Sequence, residues 1–224
     1  MNNFLGFIIT LIYIFAIIGV GEGLRRWRGY GSDFTRKVVH IGVGMVMWVI
    51  PYLFDNPWWF AAACGGFVVL NFLDWKYGFF ASMTSSDRVF ANIPNLGTVY
   101  FPLAAGVCAV LFWDRPGIMI AAMMPLTWGD GLAPVAGRKL GWGPYTVGGQ
   151  TRTLAGSGMF LLAAWISTWA ALTFGAGSPV VDSPMITALV VASVTAVIEG
   201  VTIWGLDNLV VTGVAILLLW QTVA

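Results

Sequence analysis

The chain has 224 residues, with 11 Lys or Arg and 10 Asp or Glu, so only 9% of its side chains are charged. Soluble domains average about 25%. With 58% hydrophobic residues, a mean hydropathy of +0.83 and a net charge of +1, the composition excludes an ordinary soluble domain, a disordered chain and a nucleic-acid binder working through bulk charge.

The 28 Gly and 12 Trp suit packed membrane helices with interfacial rings. The length predicts a single integral-membrane domain over 1–224, all-α. At roughly 25–30 residues for each span and its loop, a polytopic bundle of about 8 (7–9) transmembrane helices fits. Apolar windows place the spans near 4–24, 38–54, 57–74, 95–113, 117–136, 156–174, 184–203 and 208–222. The runs are continuous rather than alternating, which argues against a barrel. The first window is long for a signal peptide and is followed by Arg25, Arg26 and Arg28, so a retained span is expected. Cys64 and Cys108 lie in apolar runs and make neither a disulfide framework nor a metal cluster.

Sidedness follows from the basic residues. The loop after the first span holds Arg25, Arg26, Arg28, Arg36 and Lys37, that after the third Lys76 and Arg88, and that after the fifth Arg138, Lys139 and Arg152. Ten of the eleven basic residues thus share one side, and Arg115 faces the other with Asp55, Asp114 and Asp182. The positive-inside bias makes the basic side cytosolic and predicts the N-terminus outside.

Four segments on that face carry chemistry. In Thr35-Arg-Lys-Val-Val-His40, Arg36 and His40 share a helix face. They and Lys37 can grip phosphate oxygens; Arg36 and Lys37 equally suit a membrane anchor. His40 is the single His of the chain, an ionisable group a turn inside a span, and it suits a functional role or a buried structural one. In Gly129–Gly141, Asp130 ends a long apolar run where an unpaired carboxylate is costly. Gly131, Gly137 and Gly141 permit close approach of a ligand or helix, and Arg138 and Lys139 follow for phosphates. If the stretch is helical, Asp130, Pro134 and Arg138 share a face at four-residue steps. An acid for Mg²⁺ beside such a basic pair suits a nucleotide. Gly141–Ser157 is a Gly-rich segment that presents backbone N–H groups to an anion or forms a plain loop and helix cap. Arg152, Gly156 and Ser157 then open a span whose N-terminus favours phosphate. Last, Glu199 is an acid inside an apolar run, and Asp207 and Asn208 precede the final span, where Asp207 also suits a cap. There is no Walker A loop, HExxH or supported Ser-His-Asp elbow. Acids that hold a metal and bases that hold a polyphosphate, gathered at one membrane face, point to phosphoryl transfer.

Read in order, Arg36-Lys37-x-x-His40, Gly129-Asp-Gly-x-Ala-x-x-x-Gly-Arg-Lys-x-Gly141, Arg152-Thr-x-x-Gly-Ser157, Glu199 and Asp207-Asn208 resemble the CTP-dependent lipid-alcohol kinases: phytol kinase, dolichol kinase and the yeast-type diacylglycerol kinase. The resemblance covers about residues 30–215 and leans to the short, phytol-kinase-like members. Where the family's third motif usually begins with Lys, this chain has Arg152, which keeps the charge. The resemblance implies CTP and Mg²⁺ at the cytosolic face. Asp130 would ligate or orient the metal, with Glu199, Asp207 or Asn208 completing its site. Arg138, Lys139 and Arg152 would hold phosphates beside Gly131, Gly137, Gly141, Gly156 and Ser157. Arg36, Lys37 and His40 would hold the transferring phosphate or the acceptor oxygen of a membrane-dissolved isoprenoid or lipid alcohol. His40 and Asp130 are both candidate general bases. Besides CTP and the alcohol, the expected partners are membrane lipids, with a homo-oligomer compatible and no nucleic acid. The rivals are a phosphatidate-cytidylyltransferase-like enzyme, whose Asp-Gly-x-Ala nucleotide motif is similar, and a small-solute transporter. A transporter would place charges at mid-membrane and show repeated halves.

Overall fold

The structure, a computed structural model, describes residues 2–79, 89–90, 93–94, 96–177, 181–203 and 205–222. Arg88, assigned above to a cytosolic loop, lies outside the described residues.

Helix α1 (Asn3–Arg28) starts where Asn2 Oδ1 accepts the Phe4 N–H at 2.9 Å and ends at Gly29, whose φ of 70° closes the last turn. Three arginines in that last turn face the partial negative charge of the helix end. The window expected at 38–54 is not one helix. It holds α2 (Ser32–Gly44), a 3-10 turn Met45–Trp48 and the short α3 (Ile50–Leu53). The break falls at Gly44, where any Cβ would run into the Thr127 side chain. Helix α4 (Pro57–Tyr77) is capped by Asn56 and closed by Gly78. Helix α5 (Gly97–Leu111) follows a short strand pair, β1 (Val89–Phe90) with β2 (Ile93–Pro94).

The centre of the bundle is α6 (Pro116–Met124), a π-helical turn Pro125–Asp130 and α7 (Gly131–Leu140) in one continuous run. Every residue from Ile118 to Met124 is fully buried. This run packs on Phe160, Ala164 and Leu172 of α8 (Leu154–Phe174), Ala188 and Ala192 of α9 (Pro184–Val201), and Val211 and Ala215 of α10 (Asp207–Trp220). Alanines on the outer helices match the bulky Ile and Met of the inner one, which lets the layers interdigitate. Two buried hydroxyls bond back into their own helices: Thr10 reaches the Gly6 carbonyl at 2.9 Å and Thr195 that of Val191 at 2.7 Å.

The helical class is as expected. Five segments are long and apolar enough to cross a membrane: Asn3–Arg28, Pro57–Tyr77, Pro116–Leu140, Leu154–Phe174 and Pro184–Val201. Helices α5 and α10 are apolar but shorter. The described fold therefore supports several spans, and the count of eight is finer than it carries.

The Gly-rich segment is not a plain loop, although the helix cap read with it is present at Thr153. It forms a β-hairpin, β3 (Pro144–Val147) with β4 (Gln150–Thr153). Gly148 (φ 54°) and Gly149 (φ 81°) make its two-residue turn, a geometry that non-Gly side chains resist. A Cβ on Gly148 would meet Ile203 at 2.8 Å, so the hairpin tip lies against the chain just after α9.

Candidate active site

Helices α2 and α7 meet through charge. Lys37 Nζ bonds Asp130 Oδ2 at 2.7 Å, both groups nearly buried. His40 Nε2 lies 3.4 Å from the same oxygen and 2.8 Å from the Leu126 carbonyl. The π turn makes this arrangement: Leu126 lies within it and Asp130 ends it, so one side chain of α2 meets both. Further out, Arg138 approaches Asp33 at 3.9 Å, with both side chains about half exposed. Asp130 and Arg138 therefore both face α2, as the four-residue spacing predicts. The pairing is crossed, acid to base and base to acid.

On the other side, Arg152 leaves the hairpin to form an ion pair with the Glu199 carboxylate, and also donates to the Glu199 carbonyl. Its other terminal nitrogen donates to the Thr202 carbonyl at 2.5 Å. Arg152 thus caps the C-terminal end of α9 while it holds an acid, a two-handed task suited to a guanidinium. Thr153 caps α8, its Oγ1 accepting the Gly156 N–H at 3.0 Å. Asp207 is the first residue of α10 rather than its cap, and its Oδ1 accepts the Asn208 N–H at 2.9 Å. Asn208 Nδ2 donates to the Gly97 carbonyl at 2.6 Å, tying α10 to the start of α5.

These contacts bring three acids together. Carboxylate oxygens of Asp130, Glu199 and Asp207 lie within 4.8 Å of one another. An all-oxygen donor set suits Mg²⁺. The Lys37 and Arg152 contacts do not exhaust it, because each carboxylate has about four lone-pair sites. Asn208 Oδ1, one residue from Asp207, is buried with no hydrogen-bond partner among the described residues. Such an orphaned acceptor beside three acids fits a cation. Arg36 Nε is also buried and unpartnered among the described residues, which leaves a donor for an anion.

Several of the other expected site residues also serve the packing. Gly141 ends α7 with φ 61°. A Cβ on Gly131 would lie 2.5 Å from Ile41 Cγ1, so that glycine lets α2 approach α7. A Cβ on Gly137 would lie 2.8 Å from Thr153 Oγ1, and one on Gly156 would lie 3.0 Å from the Ala133 carbonyl. These two glycines set the α7–α8 crossing. Ser157 Oγ hydrogen-bonds Tyr145 Oη at 2.7 Å and so joins α8 to the hairpin. Lys139 is exposed at the end of α7, and Arg138 stands at the rim. Gly137→Ala is expected to lower stability by about 1–3 kcal/mol, since the Thr153 cap must give way. Thermal unfolding in detergent reads this, and an unchanged midpoint would remove the crossing argument.

The sequence reading passed over Phe101, Tyr145 and Asn71. The Phe101 ring packs edge-on against His40 with centroids 4.6 Å apart, and Asn71 Nδ2 donates to the Thr98 carbonyl at 2.7 Å. An amide inside the apolar run of α4 was the available signal for Asn71.

A bundle of apolar helices with a buried cluster of acids and bases fits a membrane-type phosphotransferase. The comparisons narrow that class. Over 211 residues the chain is 29% identical to the phytol kinase of Synechocystis sp., covering 93% of this chain and 87% of that one. It is 23% identical to the chloroplastic farnesol kinase of Arabidopsis thaliana over 215 residues, 91% of this chain and 69% of that protein. It is also 29% identical over 160 residues to the protein of Glycine max named probable phytol kinase 3, chloroplastic, spanning 65% of this chain and 49% of that one. No protein-family profile and no solved structure matches the chain. These homologues support a phytol-kinase-like enzyme, a kinase and so a phosphotransferase.

Proposed function

We propose that the protein transfers the γ-phosphate of CTP to the hydroxyl of a membrane-dissolved isoprenoid or lipid alcohol, of the phytol, geranylgeraniol or polyprenol type, with Mg²⁺, at the cytosolic face. The observation that carries this reading is the convergence of Asp130, Glu199 and Asp207 within 4.8 Å, with Lys37, His40 and Arg152 on them. Homologues that are named kinases of phytol and farnesol support the acceptor class. A single domain of about eight spans with the N-terminus outside goes with it, on the distribution of Lys and Arg.

Asp130, Glu199 and Asp207, with Asn208 beside them, would hold Mg²⁺, which neutralises charge on the phosphates when bound. Arg36 offers its unpartnered Nε to the transferring phosphate. Arg138 and Lys139 stand at the rim, where nucleotide phosphates would pass. The alcohol oxygen forms its bond to the γ-phosphorus as the bridge to the β-phosphate breaks, giving a lipid monophosphate and CDP. The hydroxyl proton needs an acceptor. With Nε2–H on the Leu126 carbonyl, His40 leaves Nδ1 as a lone-pair acceptor, so His40 is the favoured base. Asp130, paired with Lys37 and assigned here to Mg²⁺, is the less favoured base.

The test is a product assay with purified protein in detergent, γ-labelled CTP, Mg²⁺ and separate acceptors: phytol, geranylgeraniol, a polyprenol, diacylglycerol and phosphatidic acid. Label in an alcohol's lipid fraction is the expected result. Labelled pyrophosphate with phosphatidic acid would instead make the protein a cytidylyltransferase.

A further inference from the structure

An apolar cleft of about 550 Å³, counting its open side, lies between α1, α2, α4 and α5. Ile14 and Ile18, Val43, Phe60 and Phe67, and Phe101 line it. Its relation to the acid cluster is direct. Phe101 is a wall of the cleft and also packs on His40. Gly44, another lining residue, rests on Thr127, three residues before Asp130.

One lining residue carries an amide. Asn71 is 6% exposed, its Nδ2 is fixed on the Thr98 carbonyl, and its Oδ1 is buried with no hydrogen-bond partner among the described residues. An unmet acceptor in an apolar wall costs free energy unless something donates to it. The start of α5 joins this amide to the acids. Thr98 holds Asn71, the preceding Gly97 holds Asn208, and Asn208 follows Asp207. The Asn71 end of the cleft therefore faces the site, and the Phe60 end lies away from it. The helical rise between those two residues is about 16 Å, the scale of an extended prenyl chain of farnesyl size.

We propose that this cleft is the tail subsite of the acceptor alcohol: the prenyl chain lies along Phe67 and Phe60, and the hydroxyl donates to Asn71 Oδ1 as it enters. The inference rests on the lipid-alcohol kinase reading. It adds which helices hold the chain and why the occupant is an alcohol. A hydroxyl supplies the donor that Asn71 lacks, whereas a hydrocarbon or an ester does not.

The test uses the full chain in nanodiscs and a diazirine-bearing farnesol, without nucleotide. Cross-links are mapped by mass spectrometry, and phosphoryl transfer from γ-labelled CTP is measured on the same preparation. Adducts on α1, α4 and α5 peptides around Ile18, Phe67 and Phe101 are expected, with loss of most of the adduct yield in Asn71→Leu. Ile18→Trp, which fills the cleft, should raise the KM for the alcohol about tenfold or more and leave the KM for CTP unchanged. If that variant does not fold, Ala63→Leu gives the same readout from α4. Phosphorylated alcohol with adducts elsewhere overturns the subsite and leaves the kinase standing. Adducts in the cleft without phosphorylation keep the subsite and defeat the kinase reading. Saturating alcohol with no adduct in the cleft overturns the inference.

Discussion

Asp130→Asn is expected to cut phosphoryl transfer by at least about 10²–10³-fold while the protein still folds. Asp130 is where the elements of the site intersect: Lys37 lies 2.7 Å from Oδ2, His40 3.4 Å, and Glu199 and Asp207 lie within the same cluster. Asparagine keeps an oxygen for Lys37 but removes the charge that the proposed Mg²⁺ site would need. The stability loss should be about 1–3 kcal/mol, the cost of a weakened buried hydrogen bond to a charged group. Lys37→Met is the informative contrast. It leaves the Asp130 carboxylate buried without its cation, which costs about 3–5 kcal/mol. Combining the two should recover much of that stability and none of the activity. Initial rates of label transfer and thermal unfolding, measured side by side, separate the effects. Wild-type-like turnover in Asp130→Asn would remove the residue from the mechanism, and activity that followed unfolding across all three variants would make it a structural pair.

Asp130 was visible in the sequence because an acid at the end of an eleven-residue apolar run, Ile118–Trp128, needs a reason to be there. Its partner was not. Helix spacing groups Arg36 with His40 at i, i+4, yet Lys37 and His40, at i, i+3, are the ones that turn to Asp130. Both spacings share a face, so the choice was made by α7, which periodicity in α2 does not register. The Arg152–Glu199 pair spans 47 positions and needed the hairpin to exist. That hairpin had a local signal: β-branched Thr146 and Val147 before Gly148-Gly149, and Thr151 and Thr153 after it, flank a Gly-Gly turn. Glycine serves both phosphate-binding loops and close helix crossings, and the contacts at Ile41 and Thr153 show that Gly131 and Gly137 serve the crossings at least. The close approach of Thr127 to Gly44, where α2 gives way to the 3-10 turn, is a tertiary contact that the second apolar window does not reveal.

Arg152 is the residue on which the two faces of the site can be told apart. Its guanidinium holds the Glu199 carboxylate and the carbonyls of Glu199 and Thr202 together. Arg152→Lys keeps the charge but not the fork, since one ammonium cannot reproduce that planar arrangement. Turnover should fall about 10–100-fold, at the scale of a misplaced catalytic group, with a modest loss of stability. Arg152→Ala removes the charge as well and leaves a buried acid alone, which should cost about 3–5 kcal/mol. The decisive comparison is with Glu199→Gln. If Arg152 acts by positioning Glu199, the double variant Arg152→Lys with Glu199→Gln should be no slower than the worse single one, and the KM for CTP should stay nearly constant throughout. If Arg152 instead releases Glu199 to grip a phosphate, the KM for CTP should rise in Arg152→Lys whatever stands at 199, and the two losses should add. The contacts with three acceptors on α9 and the turn after it favour the first outcome. A clear rise in the KM for CTP with additive losses would overturn it and return Arg152 to the phosphate-holding role that the sequence motif suggests.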